Sequence, residues 1–415
     1  MKRVEILAVG SELLTPFFLD TNSLFLAGRL NSLGLEVSFK TVVGDDEDDL
    51  VLRLEEASRL ADLILVIGGL GPTADDRTRE AASRAFGRKL ISVPEILRRI
   101  EDRFKRRGLP MPASNRKQGD VLEGAEVLTN EFGTAPGQWL EWNGKSIIFF
   151  PGPPHELEPM FDVHVLPRLE PFRRGYLFHK TLKISGLTES AVEDLMAGLY
   201  PVDPALEVTT LAKPGQIEIH LRSLSSAGRQ EAESLLRPLE TALLARLGEN
   251  VFSVGGESLE EVVGSLLRSR KATLACAESC TGGLISHRLT NVPGISESFI
   301  GGMTAYSNRA KEEWLAVPCE VLVESGAVSA RAAESMAAGI RLAAGADFGL
   351  AVTGIAGPSG GTPDKPVGLV YTALAWENGV EAVKNQFLGN RDQVKFQSSQ
   401  KALDMLRRRL LKIRP

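Results

Sequence analysis

The 415-residue chain holds only three cysteines, Cys276, Cys280 and Cys319. An odd, small number in a chain of this length argues against a disulfide framework. Cys276 and Cys280 also lack the second close pair of ligands that a structural zinc site needs. Histidine is scarce, five in all, and His287 alone falls in the last third, where it reads as a surface or packing residue rather than a triad member. No apolar run approaches the length needed to span a bilayer, and the first one, Val4–Val9, ends at Gly10-Ser11-Glu12, too short for a signal-peptide core. The expectation is a cytoplasmic protein with no membrane partner. Basic charge is not in excess either. The formal net charge of -5 gives no global field for nucleic acid, and the local run Arg103 to Arg107 reads as a solvated helix face. Nucleic acid is not an expected partner.

What is present is an ordinary soluble composition, 43% hydrophobic and 24% charged, in a chain too long for one core, so two or three domains are expected. The opening segment alternates Val4–Val9, Asn22–Leu33, Val37–Val43, Leu50–Leu60 and Leu63–Ile67, a βαβαβ rhythm that predicts a parallel sheet. The acidic run Asp45 to Asp49 reads as capping of the second helix rather than a metal site. Asn143-Gly144 between Gly137–Trp142 and Ser146–Phe150 predicts a hairpin that adds antiparallel strands. From Tyr176 to Phe252 the pattern is α+β. Strands are expected at Leu182–Ile184 and Ile217–Leu221, helices at Glu189–Leu199 and Ala227–Leu247, and turns at Pro201, Pro204 and Pro214. A third rhythm follows Gly255-Gly256, with a helix at Leu259–Ser269, strands at Ala272–Ala275, Phe348–Val352 and Gly368–Trp376, and a helix at Ala330–Ala344. The predicted class is α/β: two layered α/β domains, 1–171 and 255–415, joined by a small α+β connector, 172–254, that acts as a spacer or dimerisation module.

Two stretches carry chemistry in the last domain. Ala275-Cys276-Ala277-Glu278-Ser279-Cys280-Thr281-Gly282-Gly283 follows a strand and opens a helix, a position that offers free N–H groups to a phosphate or a developing oxyanion. Val352-Thr353-Gly354-Ile355-Ala356-Gly357 supplies a second glycine-rich loop after a strand, and two such loops suggest one crevice. With Tyr306-Ser307-Asn308-Arg309-Ala310-Lys311, Gly326-Ala327-Val328-Ser329 and Lys365-Pro366-Val367-Gly368, these segments closely resemble the C-terminal domain of the CinA (competence/damage-inducible protein A) family, the nicotinamide mononucleotide amidohydrolases. The resemblance implies conversion of nicotinamide mononucleotide to nicotinate mononucleotide and ammonia. It puts Ser279, Tyr306, Lys311, Thr353 and Arg391 on functional positions, with no cofactor. The residue types make sense of that chemistry. An amide carbonyl needs a nucleophile, and a serine hydroxyl needs a base beside it; a lysine serves when burial keeps it neutral. Tyr306 is expected to relay the proton or orient the pair. Thr281, Gly282, Gly283, Thr353, Gly357 and Arg391 are the expected substrate contacts. Arg391 and the amides of Thr281–Gly283 both suit a phosphate, and the residues do not choose between them.

In the first domain Gly68-Gly69-Leu70-Gly71-Pro72-Thr73-Ala74-Asp75-Asp76 again lies between a strand and a helix, where glycines cradle a phosphoryl group and carboxylates hold a divalent cation. Capping of the helix by Asp75 is the plainer alternative. Together with Gly10-Ser11-Glu12, Asp20-Thr21-Asn22, Gly133-Thr134-Ala135-Pro136-Gly137 and Pro151-Gly152-Pro153-Pro154-His155-Glu156, the loop resembles the molybdopterin-binding-like fold of the N-terminal half of the same family. That implies an ADP-ribose pyrophosphatase dependent on magnesium, manganese or cobalt. Gly69, Gly71, Thr73 and Asn22 are then the substrate contacts, and Asp75, Asp76, Glu12 and Asp20 the metal ligands. One segment departs from relatives: Thr15-Pro16-Phe17-Phe18-Leu19 stands where a glycine-led run is usual. The connector resembles a KH module but lacks a Gly-x-x-Gly clamp, which weakens any RNA-binding reading. The expected whole is a bifunctional homodimeric enzyme of pyridine-nucleotide salvage. The alternative is a non-catalytic nucleotide or pterin sensor, or a partner protein in competence.

Overall fold

The computed structural model describes residues 3–200 and 203–412; the expected turn at Pro201 lies outside them. The chain divides into two compact units, Met1–Leu177 with Leu224–Ala232, and Phe178–Ser223 with Glu233–Pro415. Among the described residues no helix is long and apolar enough to cross a membrane.

The first unit is built on a six-stranded sheet in the order Val37–Val43, Val4–Val9, Leu63–Ile67, Lys145–Phe150, Gly137–Trp142, Glu126–Leu128. The first four strands run parallel, and the last two each pair antiparallel with the strand before them, so the βαβαβ start and the late hairpin are both present. Strand Leu63–Ile67 is buried along its whole length, as expected of a strand covered on both faces. Asn143 and Gly144 take positive φ, 48° and 75°, the geometry a two-residue hairpin turn demands. Helix Thr21–Ser32 is capped by Asp20 and helix Glu47–Leu60 by Asp46, whose carboxylate accepts from the Asp48 and Asp49 amides. The acidic run therefore starts a helix, as its position near the dipole's positive end suggests.

The second unit carries two sheets. The connector's sheet has the order Leu206–Lys213, Gln216–Ser225, Tyr176–Ile184, Val251–Ser253. Its edge strand Leu206–Lys213 alternates half-buried and exposed residues and gives too weak a hydrophobic signal to be read from sequence. The other sheet has the order Phe299–Thr304, Leu274–Glu278, Phe348–Gly354, Leu369–Trp376, Gly379–Gln386, parallel across the first three strands and antiparallel after them. The expected strand Ala272–Ala275 is placed too early; the observed strand is Leu274–Glu278. Three parallel strands thus end side by side at Glu278, Thr304 and Gly354, and open α/β sheets bind ligands outside such carboxyl ends.

Candidate active sites

In the second unit a cavity of about 270 Å³ opens at those strand ends, lined by Ser279, Cys280, Tyr306, Lys311, Thr353, Gly357 and Arg391 among others. Ser279 is the first residue after its strand, and its N–H donates to the Val352 carbonyl at 3.0 Å, which ties its backbone to the neighbouring strand. Lys311 lies in helix Asn308–Leu315, capped by Ser307, and is only 1% exposed. Its Nζ stands 3.1 Å from Ser279 Oγ, 2.8 Å from the Ala305 carbonyl oxygen and 3.3 Å from that of Tyr306.

All three partners of Lys311 are uncharged oxygens. Burial pushes its pKa down from the usual 10.5, with the Cys280 thiol acting the other way. Nζ donates to all three oxygens; once the amine is neutral, its two N–H groups serve the two carbonyls and its lone pair can face the Ser279 hydroxyl.

The other expected residues divide. Thr353 is buried, and its hydroxyl donates to the Ala327 carbonyl at 2.8 Å, which joins the Gly326–Ser329 segment to the cavity wall. Tyr306 is 63% exposed, and its hydroxyl accepts from Arg391 at 3.2 Å while Arg391 also donates to the Gly357 carbonyl at 2.7 Å. A proton relay through the Tyr306 phenol finds no support in this arrangement: the residue reaches Lys311 through its carbonyl and Arg391 through its hydroxyl, so it orients both. Thr281, Gly282 and Gly283 do not line the cavity. Helix Leu284–Thr290 begins only after Gly283, and its first free amides, Ile285 and Ser286, donate to the buried Glu278 carboxylate at 3.0 and 2.9 Å. An internal carboxylate thus occupies the helix start that was expected to receive a phosphate. Glu278 reads in sequence as part of a turn and is in fact the last, fully buried residue of the strand.

Cys280 also lines the cavity, yet burial pushes its thiol up to about 12, which leaves almost no thiolate at neutral pH. Cys280→Ala is therefore expected to change kcat by less than about threefold, since an inert thiol supplies no nucleophile. Steady-state turnover by the full chain checks this, and a loss as large as that of a nucleophile would overturn it.

In the first unit a cavity of about 390 Å³ is lined by Glu12, Gly69, Gly71, Thr73, Asp75 and Asp76 from the sequence reading, and also by Asp45 and Glu156. Glu156 is the residue most easily missed, since its turn shows only unusual proline content; its carboxylate accepts from Asn130 Nδ2 at 2.6 Å. Asp20 and Asn22 do not line this cavity. Asp20 caps a helix and stands 3.5 Å from Lys40, and Asn22 donates to the Gly152 carbonyl at 2.6 Å. Asp75 does not cap helix Thr78–Phe86, whose N-cap Arg77 makes no side-chain cap. The glycines have packing reasons of their own. Gly69 has φ +68° and a Cβ there would fall 1.9 Å from Thr78 Oγ1, while one on Gly71 would meet the Asp76 carboxylate at 2.4 Å. Two cations hold the loop from behind: buried Arg79 donates to the Leu70 and Gly71 carbonyls at 2.7 and 2.9 Å, and Lys117 to those of Thr73 and Asp76.

Among the described residues no three His, Cys, Asp or Glu side chains converge to hold a metal ion. The four expected ligands thus do not make a ready cage. The carboxylate-lined wall fits only the mode in which a hard cation takes one or two carboxylates and completes its shell with phosphate oxygens.

Comparison with known proteins gives three matches along the chain. Residues 5–171 match the family described as "Probable molybdopterin binding domain", 179–253 the "Damage-inducible protein CinA KH domain" and 256–410 the "CinA C-terminal domain". A CinA-like protein of Koribacter versatilis is 44% identical over 414 residues, covering 98% of this chain and 99% of the relative. One of Solibacter usitatus is 44% identical over 407 residues, with 98% of each covered. A crystal structure of competence/damage inducible protein CihA from Agrobacterium tumefaciens is 36% identical, covering 38% of this chain and 98% of that one, with a TM-score of 0.36.

Proposed function

Because the chain belongs to the CinA family, as relatives 44% identical over nearly its whole length show, we propose that its second unit is an amidohydrolase that deamidates nicotinamide mononucleotide. The observation that carries this is the 3.1 Å contact between the buried Lys311 amine and Ser279 Oγ. In the proposed reaction Lys311 takes the hydroxyl proton as Ser279 Oγ bonds to the carboxamide carbon and the carbonyl electron pair moves onto oxygen. The amides of Ser279 and Gly282 are committed to carbonyls, so the amide of Cys280, which lines the cavity, is the turn donor assigned to that oxyanion. Collapse breaks the C–N bond, and Lys311 returns its proton to the leaving nitrogen, which departs as ammonia. Water then attacks the Ser279 ester with Lys311 again as base, releasing nicotinate mononucleotide and restoring the hydroxyl. Arg391 is assigned to the substrate phosphate, since its guanidinium is exposed at the cavity and only partly used by Gly357 and Tyr306. Ammonia release from nicotinamide mononucleotide by the full chain tests the reading; no release from any pyridine nucleotide would overturn it.

For the first unit we propose ADP-ribose as the ligand, hydrolysed at its pyrophosphate with a divalent cation brought in on the phosphates. The lack of three converging ligands favours a second reading, a unit that holds a nucleotide or pterin without turning it over. Asp75→Asn separates them. With magnesium supplied, hydrolysis of ADP-ribose is expected to fall about tenfold as one carboxylate charge is removed from a hard cation's wall, with deamidation unchanged. Absence of metal-stimulated hydrolysis in the wild type would leave the binding reading standing.

A further inference from the structure

The first unit holds another cavity, about 350 Å³, lined by Ile96, Ile100, Val127 and Pro136 on its apolar side and by Arg99, Arg103 and Arg106, with Asp102, Glu131 and Thr134 also contributing. The three arginines belong to helix Pro94–Arg106, at i, i+4 and i+7, which places them on one stripe. They flank the stripe that carries Ile96 and Ile100 into a small core with Val121; Arg99 and Arg106 are exposed and Arg103 is half-buried. Complementing the helix dipole accounts for basic residues in the last turn but not for Arg99, nearly two turns earlier.

Their partners differ in an informative way. Arg103 is fixed by the carbonyls of Glu131, Phe132 and Gly133, which stations one guanidinium at the wall. Arg99 and Arg106 have no carboxylate partner among the described residues, although on the same helix Arg98 pairs with Glu95 and Lys105 with Asp102. The adjoining cavity has the opposite character: Glu12, Asp45, Asp75, Asp76 and Glu156 line it and no lysine or arginine does. The two share Thr134. Two arginine forks left free over an apolar wall, beside a third held in place, match a doubly charged anion attached to an apolar or planar body.

We infer that this arginine cavity is a binding site for a phosphate monoester, distinct from the carboxylate-lined cavity and from the Ser279 site. The test uses the full chain with AMP, adenosine and inorganic phosphate as probes, read by calorimetry and by hydrogen exchange resolved along the sequence. AMP is expected to protect residues 94–106 and 127–136 and to bind more tightly than either adenosine or inorganic phosphate. Arg99→Gln with Arg106→Gln, both surface changes, is expected to weaken AMP binding at least about tenfold, the size of a lost charge-assisted contact. Arg391→Ala is expected to leave that binding unchanged. AMP binding that leaves 94–106 unprotected, or survives the double variant, or is matched by adenosine or by inorganic phosphate, would overturn the assignment. Deamidation by the double variant is expected to match the wild type, so the fate of this site and that of the Ser279 chemistry are read separately.

Discussion

Ser279→Ala is expected to lower kcat for ammonia release from nicotinamide mononucleotide by on the order of 10⁴-fold or more, with little change in KM. The side chain is small and its backbone is held by the Val352 carbonyl, so the variant keeps the turn and the cavity. What it loses is the atom that bonds to the carboxamide carbon, and that interaction exists only on the way to the transition state. Residual activity would come from oxyanion donors and positioning alone. The neighbouring thiol is not a substitute, because its proton is held by burial up to about 12. A folded Ser279→Ala protein with near wild-type kcat, beside an inactive Cys280→Ala protein, would transfer the reaction to the cysteine and sink the serine mechanism.

The pair at the centre of that argument is nominated through the resemblance to the CinA C-terminal domain, which puts Ser279 and Lys311 on functional positions; the residue types, a serine after a strand and a lysine at a helix start, suit that chemistry. Parallel order in the first sheet was legible for a related reason, since strands such as Leu63–Ile67 are apolar on both faces. What escaped depends on where a strand stops and which groups meet across long separations. Ending strand Leu274–Glu278 three residues early made Glu278 a turn residue and put the expected phosphate donors at Thr281–Gly283, whereas the helix begins after them and its first amides, Ile285 and Ser286, are held by the Glu278 carboxylate. Glu156 and Asp45 were invisible as cavity residues because each sits in a segment that reads as a turn or a cap. Gly69 and Gly71 look like a phosphate cradle in sequence, yet contacts with Thr78 and Asp76 already forbid a side chain there. A glycine pattern reports close approach and does not say to what.

Lys311→Met carries the second large effect. Methionine keeps nearly the length and volume of lysine in a site that is 1% exposed, so packing survives better than with alanine. The Ala305 and Tyr306 carbonyls lose a donor, at a cost of about 1–3 kcal/mol for each group left unpaired in the interior, which a thermal melt of the variant measures. The catalytic loss is larger, on the order of 10³–10⁴-fold in kcat, because among the described residues Lys311 is the one base hydrogen-bonded to Ser279 Oγ. The pH dependence gives the role away. Desolvation lowers the Lys311 pKa below 10.5, and the reaction needs the neutral amine. The wild-type kcat/KM is therefore expected to rise with pH below the depressed value and to level off above it, reaching its plateau at lower pH than an ordinary lysine allows. In Lys311→Met that limb disappears, and what remains is a hydroxide-like dependence without a plateau. A lysine that merely props the turn predicts a uniform loss with the wild-type pH profile retained, and that outcome would remove Lys311 from the chemistry while leaving it in the fold.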